Sequence, residues 1–97
     1  MDAVAQLADR LTEWSERLLV KGLAKTDAKD VDELHALCDE ARELDMGFLA
    51  LLLEQLAEAG ARYVRDSRAD VEELVHRYFY LCQYVSMAET GAEENQP

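Results

Sequence analysis

Val71-Glu72-Glu73-Leu74-Val75-His76-Arg77-Tyr78-Phe79-Tyr80-Leu81-Cys82-Gln83-Tyr84-Val85-Ser86-Met87 is the stretch on which the fold turns. At about 100° per residue around a helix, Val71, Leu74, Val75, Tyr78, Leu81, Cys82 and Val85 fall within one broad stripe suited to a core. Tyr80, Tyr84 and Met87 follow i, i+4, i+7 spacing and lie about 140–180° from the centre of that stripe, on a face shared with Glu73, His76 and Arg77. A single-domain monomer needs only one apolar side on such a helix. The surplus face is expected to meet either another element of the same fold or another molecule. Tyr and Met suit the second role, because each buries a large area and Tyr keeps a hydrogen-bonding tip.

Upstream, the same periodicity yields three more helices. Val4, Leu7, Leu11, Trp14 and Leu18 alternate spacings of three and four, the pattern of a helix packed along a narrow seam, here from Ala3 to Lys21. Gly22 is placed to end it, and Leu19 and Leu23 to pack over the bundle end. After a short polar link capped by Thr26 or Asp27, Val31, Leu34, Leu37, Cys38, Ala41 and Leu44 mark the inner face of a second helix. In Leu44-Asp45-Met46-Gly47, Asp45 is expected to cap helix three. That helix is the greasiest: Phe48, Leu49, Leu52, Leu53, Leu56, Tyr63 and Val64 sweep an arc of about 160°, with Leu51 on the far side among Glu54, Glu58 and Arg62. Gly60 either ends it or sits inside it where chains pack closely. Ser67 and Asp70 form a capping-box variant before helix four. The expected architecture is all-α: a four-helix up-and-down bundle with short loops over residues 1–88, followed by a flexible, disordered acidic tail at 89–97 that has no large apolar residue.

Composition bounds the function classes. A chain of 97 residues is one domain, large enough to bury a core, and its 49% apolar content argues against disorder. Ten Lys and Arg against 21 Asp and Glu leave a net charge of −11, which disfavours direct contact with nucleic acid or anionic membranes. No apolar run approaches the roughly 20 residues of a membrane span. The N-terminus, Met1-Asp2-Ala3-Val4, lacks the basic and apolar regions of a secretory signal, so a cytoplasmic location is expected. Cys38 and Cys82 both fall on inner stripes, where a thiol behaves as a small hydrophobe.

Catalytic and metal patterns meet the constraints of helix geometry. Asp32-Glu33-Leu34-His35 and Glu73-Leu74-Val75-His76 both match the carboxylate-x-x-His spacing of di-iron bundles, for which Glu13, Glu16, Glu54 and Glu58 could supply the remaining ligands. Turning those groups inward would expose Val31, Leu34, Leu74 and Leu81, so no metal or other cofactor is expected. His35, Cys38, His76 and Cys82 fail as a zinc set because His76 and Cys82 project from different faces. No Gly-rich phosphate loop, nucleophile elbow or Cys-x-x-Cys pair appears, and no catalytic residue is assigned. Trp14 reads as a core anchor.

The expected function is a non-enzymatic protein–protein interaction module, an adaptor or assembly subunit. Its docking residues would be Tyr80, Tyr84 and Met87, with Phe48 and Leu51 as a second patch, and its partner another protein or a second copy of this chain. The alternative is an acidic inhibitor that mimics nucleic acid. It would present Asp32, Glu33, Asp39, Glu40 and Glu43 of helix two to the basic groove of a nucleic-acid-binding protein.

Overall fold

Helix boundaries follow from a handful of polar and glycine positions. Asp2 accepts a hydrogen bond from the Val4 amide at 3.0 Å and opens α1 (Ala3–Lys21). Gly22 closes it with φ +105°, a backbone region that side chains resist, while its N–H bonds back to the Leu18 carbonyl. A single 3-10 turn, Leu23–Lys25, which the apolar pattern did not signal, leads to α2 (Ala28–Glu43). Asp27, not Thr26, caps α2: its side chain accepts from the Asp30 amide, and Asp30 returns the bond to the Asp27 amide. Thr26 is buried, its hydroxyl donating to the Leu23 carbonyl.

The computed structural model describes residues 2–66, 68 and 71–94, with backbone alone for 88–94. Among the described residues there are four α-helices and no strand, completed by α3 (Gly47–Arg65) and α4 (Val71–Glu94). The helical backbone of α4 thus continues past Glu89, where the tail was expected to begin, and residues 95–97 of that tail lie outside the described residues. The expected Ser67–Asp70 cap also falls outside them.

Asp45 departs from its expected role. It has φ +58° and caps nothing in α3, whose N-terminal flank is Met46 without a side-chain bond. Instead Asp45 is the left-handed residue that ends α2: its own amide bonds to the Arg42 carbonyl and the Met46 amide to the Ala41 carbonyl. Those two bonds are the pair that closes a Schellman turn, a position glycine usually takes.

Gly60 sits inside α3, buried, where a Cβ would stand 3.1 Å from Cγ2 of Val31 on α2. Ala41 and Cys38 on α2 and Ala50 and Ala57 on α3 are likewise small and buried. These small side chains let α2 and α3 approach closely, and α3 and α4 nearly as closely. α1 presents Leu7, Leu11, Trp14 and Leu18 and stands further off α2 and α4. No close approach links α1 to α3 or α2 to α4 among the described residues.

The seams run in opposite directions. Arg10, Arg17 and Lys21 of α1 pair with Glu40, Glu33 and Asp30 of α2 in descending order. Across α3 and α4, Phe48 meets Tyr84, Gln55 meets Arg77 and Arg62 meets Glu73. Enclosed between these seams are Leu7, Leu11, Trp14, Leu18, Leu34, Leu53, Leu56, Leu74, Tyr78 and Leu81, each at most 2% exposed. Burial at this level contributes roughly 1.5–3 kcal/mol per large apolar side chain. Val4 is 43% exposed and Leu19 56% exposed, so neither joins the core; only Leu23 packs over the bundle end as expected.

Candidate functional site

On α4, the buried residues are Leu74, Tyr78 and Leu81, while Val71, Val75, Cys82 and Val85 are half-buried. The buried arc is therefore rotated toward α3, because α3 lies closer to α4 than α1 does. That rotation brings Tyr84 to the edge of the core. Its ring is half-buried and stands edge to face with Phe48, centroids 5.1 Å apart. The sequence reading put Tyr84 opposite the core, and the position of α3 corrects it. Tyr80 (55% exposed) and Met87 (65% exposed) do face outward.

Phe48 and Leu51 are 50% and 47% exposed, so the expected place of Phe48 within the inner arc of helix three is also corrected. Val64 at 39% exposure lies outside the core too. The neighbouring α3 turns explain both: Ala50, Ala57, Ala59 and Gly60 supply buried surface that a count of large side chains overlooks.

The two candidate patches meet where Phe48 of α3 touches Tyr84 of α4. Along the seam, Leu51 lies on α3 between Phe48 and Gln55, and Tyr80 lies on α4 between Tyr84 and Arg77. Phe48 is in ring contact with Tyr84, and the Arg77 guanidinium donates to Gln55 Oε1 at 3.0 Å. By chain position Leu51 and Tyr80 both fall between these two contacts, and Met87 follows Tyr84 on α4. One exposed aromatic went unread in the sequence: Phe79, 51% exposed, edge-on to Tyr78 at 5.2 Å on the α1 side of α4. Its signal was there, since Phe79 falls at the margin of the stripe that holds Cys82 and Val75.

The acidic face of α2 is largely committed within the chain. Arg17 holds Glu33 at 3.0 Å, Arg10 holds Glu40, and Arg42 reaches both Asp39 at 3.4 Å and Glu54 of α3 at 3.0 Å. Asp32 and Glu43 are exposed. At the end of α1, Lys21 bridges Asp27 and Asp30, which holds the Asp27 carboxyl down at about 2 and raises the Lys21 ammonium. Arg62 pairs with Glu73 of α4 and Arg68 with Asp66.

Around the thiols, Cys38 Sγ lies 3.3 Å from the Ala50 carbonyl and Cys82 lies beside Tyr78 and Ser15; both are free. Burial raises both thiols above their ordinary value, the reverse of nucleophile activation. Burial likewise pushes the Tyr78 hydroxyl, which donates to the Ser15 carbonyl of α1, up to about 12. Trp14 is 2% exposed, as expected of a core anchor, with its ring 6.3 Å from that of Tyr78 and, among the described residues, no acceptor for its indole N–H. His35 and His76 are exposed, and no group of three His, Cys, Asp or Glu able to hold a metal is found among the described residues. None of the described helices is long and apolar enough to cross a membrane.

No protein-family model matches the chain, and the comparisons with curated proteins and with solved structures return no match.

Proposed function

We propose that this chain is a non-enzymatic interaction module, an up-and-down four-helix bundle of the cytoplasm that docks another protein through the α3/α4 seam. One observation carries the reading: Phe48, Leu51, Tyr80 and Met87 are each about half exposed or more and lie with Tyr84 along a single seam. Scattered apolar residues on a surface need no explanation, whereas aromatic and aliphatic side chains gathered on one seam mark a binding face. The opposed order of contacts along each seam supports the up-and-down arrangement.

Charge mimicry by α2 is the weaker reading, because Glu33, Asp39 and Glu40 already neutralise bases of the same chain. The test is a binary titration against a partner first trapped by a photo-crosslinker at position 51 and then purified. Leu51→Glu/Tyr80→Glu should weaken binding by about tenfold or more, and Asp32→Lys/Asp39→Lys should leave it nearly unchanged. The opposite pattern would replace apolar docking by mimicry.

A further inference from the structure

α1 and α4 face each other through small residues and yet do not close. Thr12 and Ser15 of α1 and Cys82 and Ser86 of α4 line one crevice, where side chains of this size would let two helices approach as α2 and α3 do. Beside them Trp14 and Tyr78 are both buried with ring centroids 6.3 Å apart, and the bulk of the two rings holds the helices open. The space this leaves is about 180 Å³, walled by Leu11 and Leu81, each 2% exposed, and by half-buried Val85.

Size and lining define what fits. An apolar cavity of about 150 Å³ takes up benzene, so this crevice admits a single ring or a short branched chain, and nothing as large as an ordinary cofactor. None of its lining residues is charged, so a charged occupant would give up its hydration without gaining a counter-charge. The polar groups it offers are acceptors. The Thr12 hydroxyl donates to the Ala8 carbonyl at 3.0 Å and the Ser15 hydroxyl to the Thr12 carbonyl at 2.9 Å, which spends both protons and leaves the oxygen lone pairs. The occupant therefore has to supply the proton.

We infer that the α1/α4 crevice is a binding site for a small neutral molecule with a compact apolar body and one hydroxyl group. Leu11, Leu81 and Val85 take the body, and Oγ1 of Thr12 or Oγ of Ser15 accepts from the hydroxyl. The site is separate from the α3/α4 seam, since it lies on the α1 side of α4 and α1 makes no close approach to α3 among the described residues. Its occupant bridges α1 and α4 and so stabilises the closed bundle.

The test titrates the full chain, labelled with nitrogen-15, at neutral pH with phenol, benzene and benzoate, the same ring carrying a hydroxyl, nothing or a carboxylate. Phenol should bind saturably and shift amide signals around residues 11, 12, 15, 81, 82 and 85, with benzene weaker by about threefold or more and benzoate by about tenfold or more. Thr12→Val/Ser15→Ala keeps the walls and removes both acceptors, so it should bring phenol down to the affinity of benzene and leave benzene unchanged. Cys82→Phe should fill the space and abolish binding of both; if that variant fails to fold, the Thr12→Val/Ser15→Ala comparison decides. Phenol shifts that never saturate, or that centre on residues 48, 80 and 84, would overturn the inference, as would benzoate binding as tightly as phenol. A preference for phenol over benzene that survives Thr12→Val/Ser15→Ala would overturn it too.

Discussion

Phe48 stands against Tyr84 with its ring plane inclined 68° and its centroid 5.1 Å away, joining the start of α3 to the middle of α4. Edge-to-face pairs of this kind contribute about 0.5–1.5 kcal/mol beyond the area they cover. Tyr84 therefore belongs to the fold as well as to the surface, and Tyr80 belongs to the surface. Tyr84→Ala is expected to destabilise by about 1–2 kcal/mol and Tyr80→Ala by no more than about 0.5 kcal/mol. Urea denaturation of both variants checks the contrast, and equal losses would contradict it.

Gly60 and Val31 are coupled through the 3.1 Å approach that a Cβ at position 60 would make to Cγ2 of Val31. Alanine gains about 1 kcal/mol over glycine in a helix interior, but here the added methyl crowds α2. In the wild type the two effects oppose each other and Gly60→Ala brings no gain. With Val31→Ala the crowding is relieved, and Gly60→Ala should then stabilise by about 1 kcal/mol. A double-mutant cycle in urea reads the coupling directly; additivity would show that Val31 does not limit the site.

Asp45 holds a left-handed conformation that costs a residue with a Cβ about 1 kcal/mol relative to glycine. Asp45→Gly should raise stability by about 0.5–1 kcal/mol, a rise of several degrees in melting temperature for a domain of this size. Asp45→Val should lower it, because a branched Cβ resists positive φ. Thermal unfolding followed by circular dichroism decides the sign of each.

Tyr78 carries a pH signature at the alkaline end. Burial pushes its hydroxyl from 10.0 up to about 12, so the folded chain keeps a proton that the unfolded chain releases near 10. The stability this group contributes is complete below about pH 10 and falls as pH rises toward about 12. Lys21, raised by Asp30 and Asp27, adds a loss in the same direction. The readout is thus a comparison: Tyr78→Phe should cost about 1 kcal/mol at neutral pH through the lost bond to Ser15, and should show a shallower alkaline decline than the wild type. Parallel declines would place the titration elsewhere.

What the residues alone revealed follows their range of action. Leu7, Leu11, Trp14 and Leu18 could be read as a buried seam because spacing of three and four is a local property of one helix. Gly22 was legible for the same reason. Asp45 was misread because Asp suits both an N-cap and a left-handed turn, and only the backbone bonds of Arg42 and Ala41 separate the two. Tyr84 was misread because an angular plot gives direction but not how near each neighbouring helix stands. The acids of α2 looked free because Arg10 and Arg17 are distant in sequence from Glu40 and Glu33. Phe48 and Leu51 were legible as apolar residues of α3, but their union with Tyr80 and Tyr84 is a property of the seam.

Trp14 gives the molecule a built-in optical gauge. It is the sole tryptophan of the chain, it is 2% exposed, and it belongs to the helix that keeps the greatest distance from its neighbours. Its fluorescence therefore reports on one event, the departure of α1: emission stays blue-shifted while that helix is seated and moves red as it lifts, even if α2, α3 and α4 still hold together.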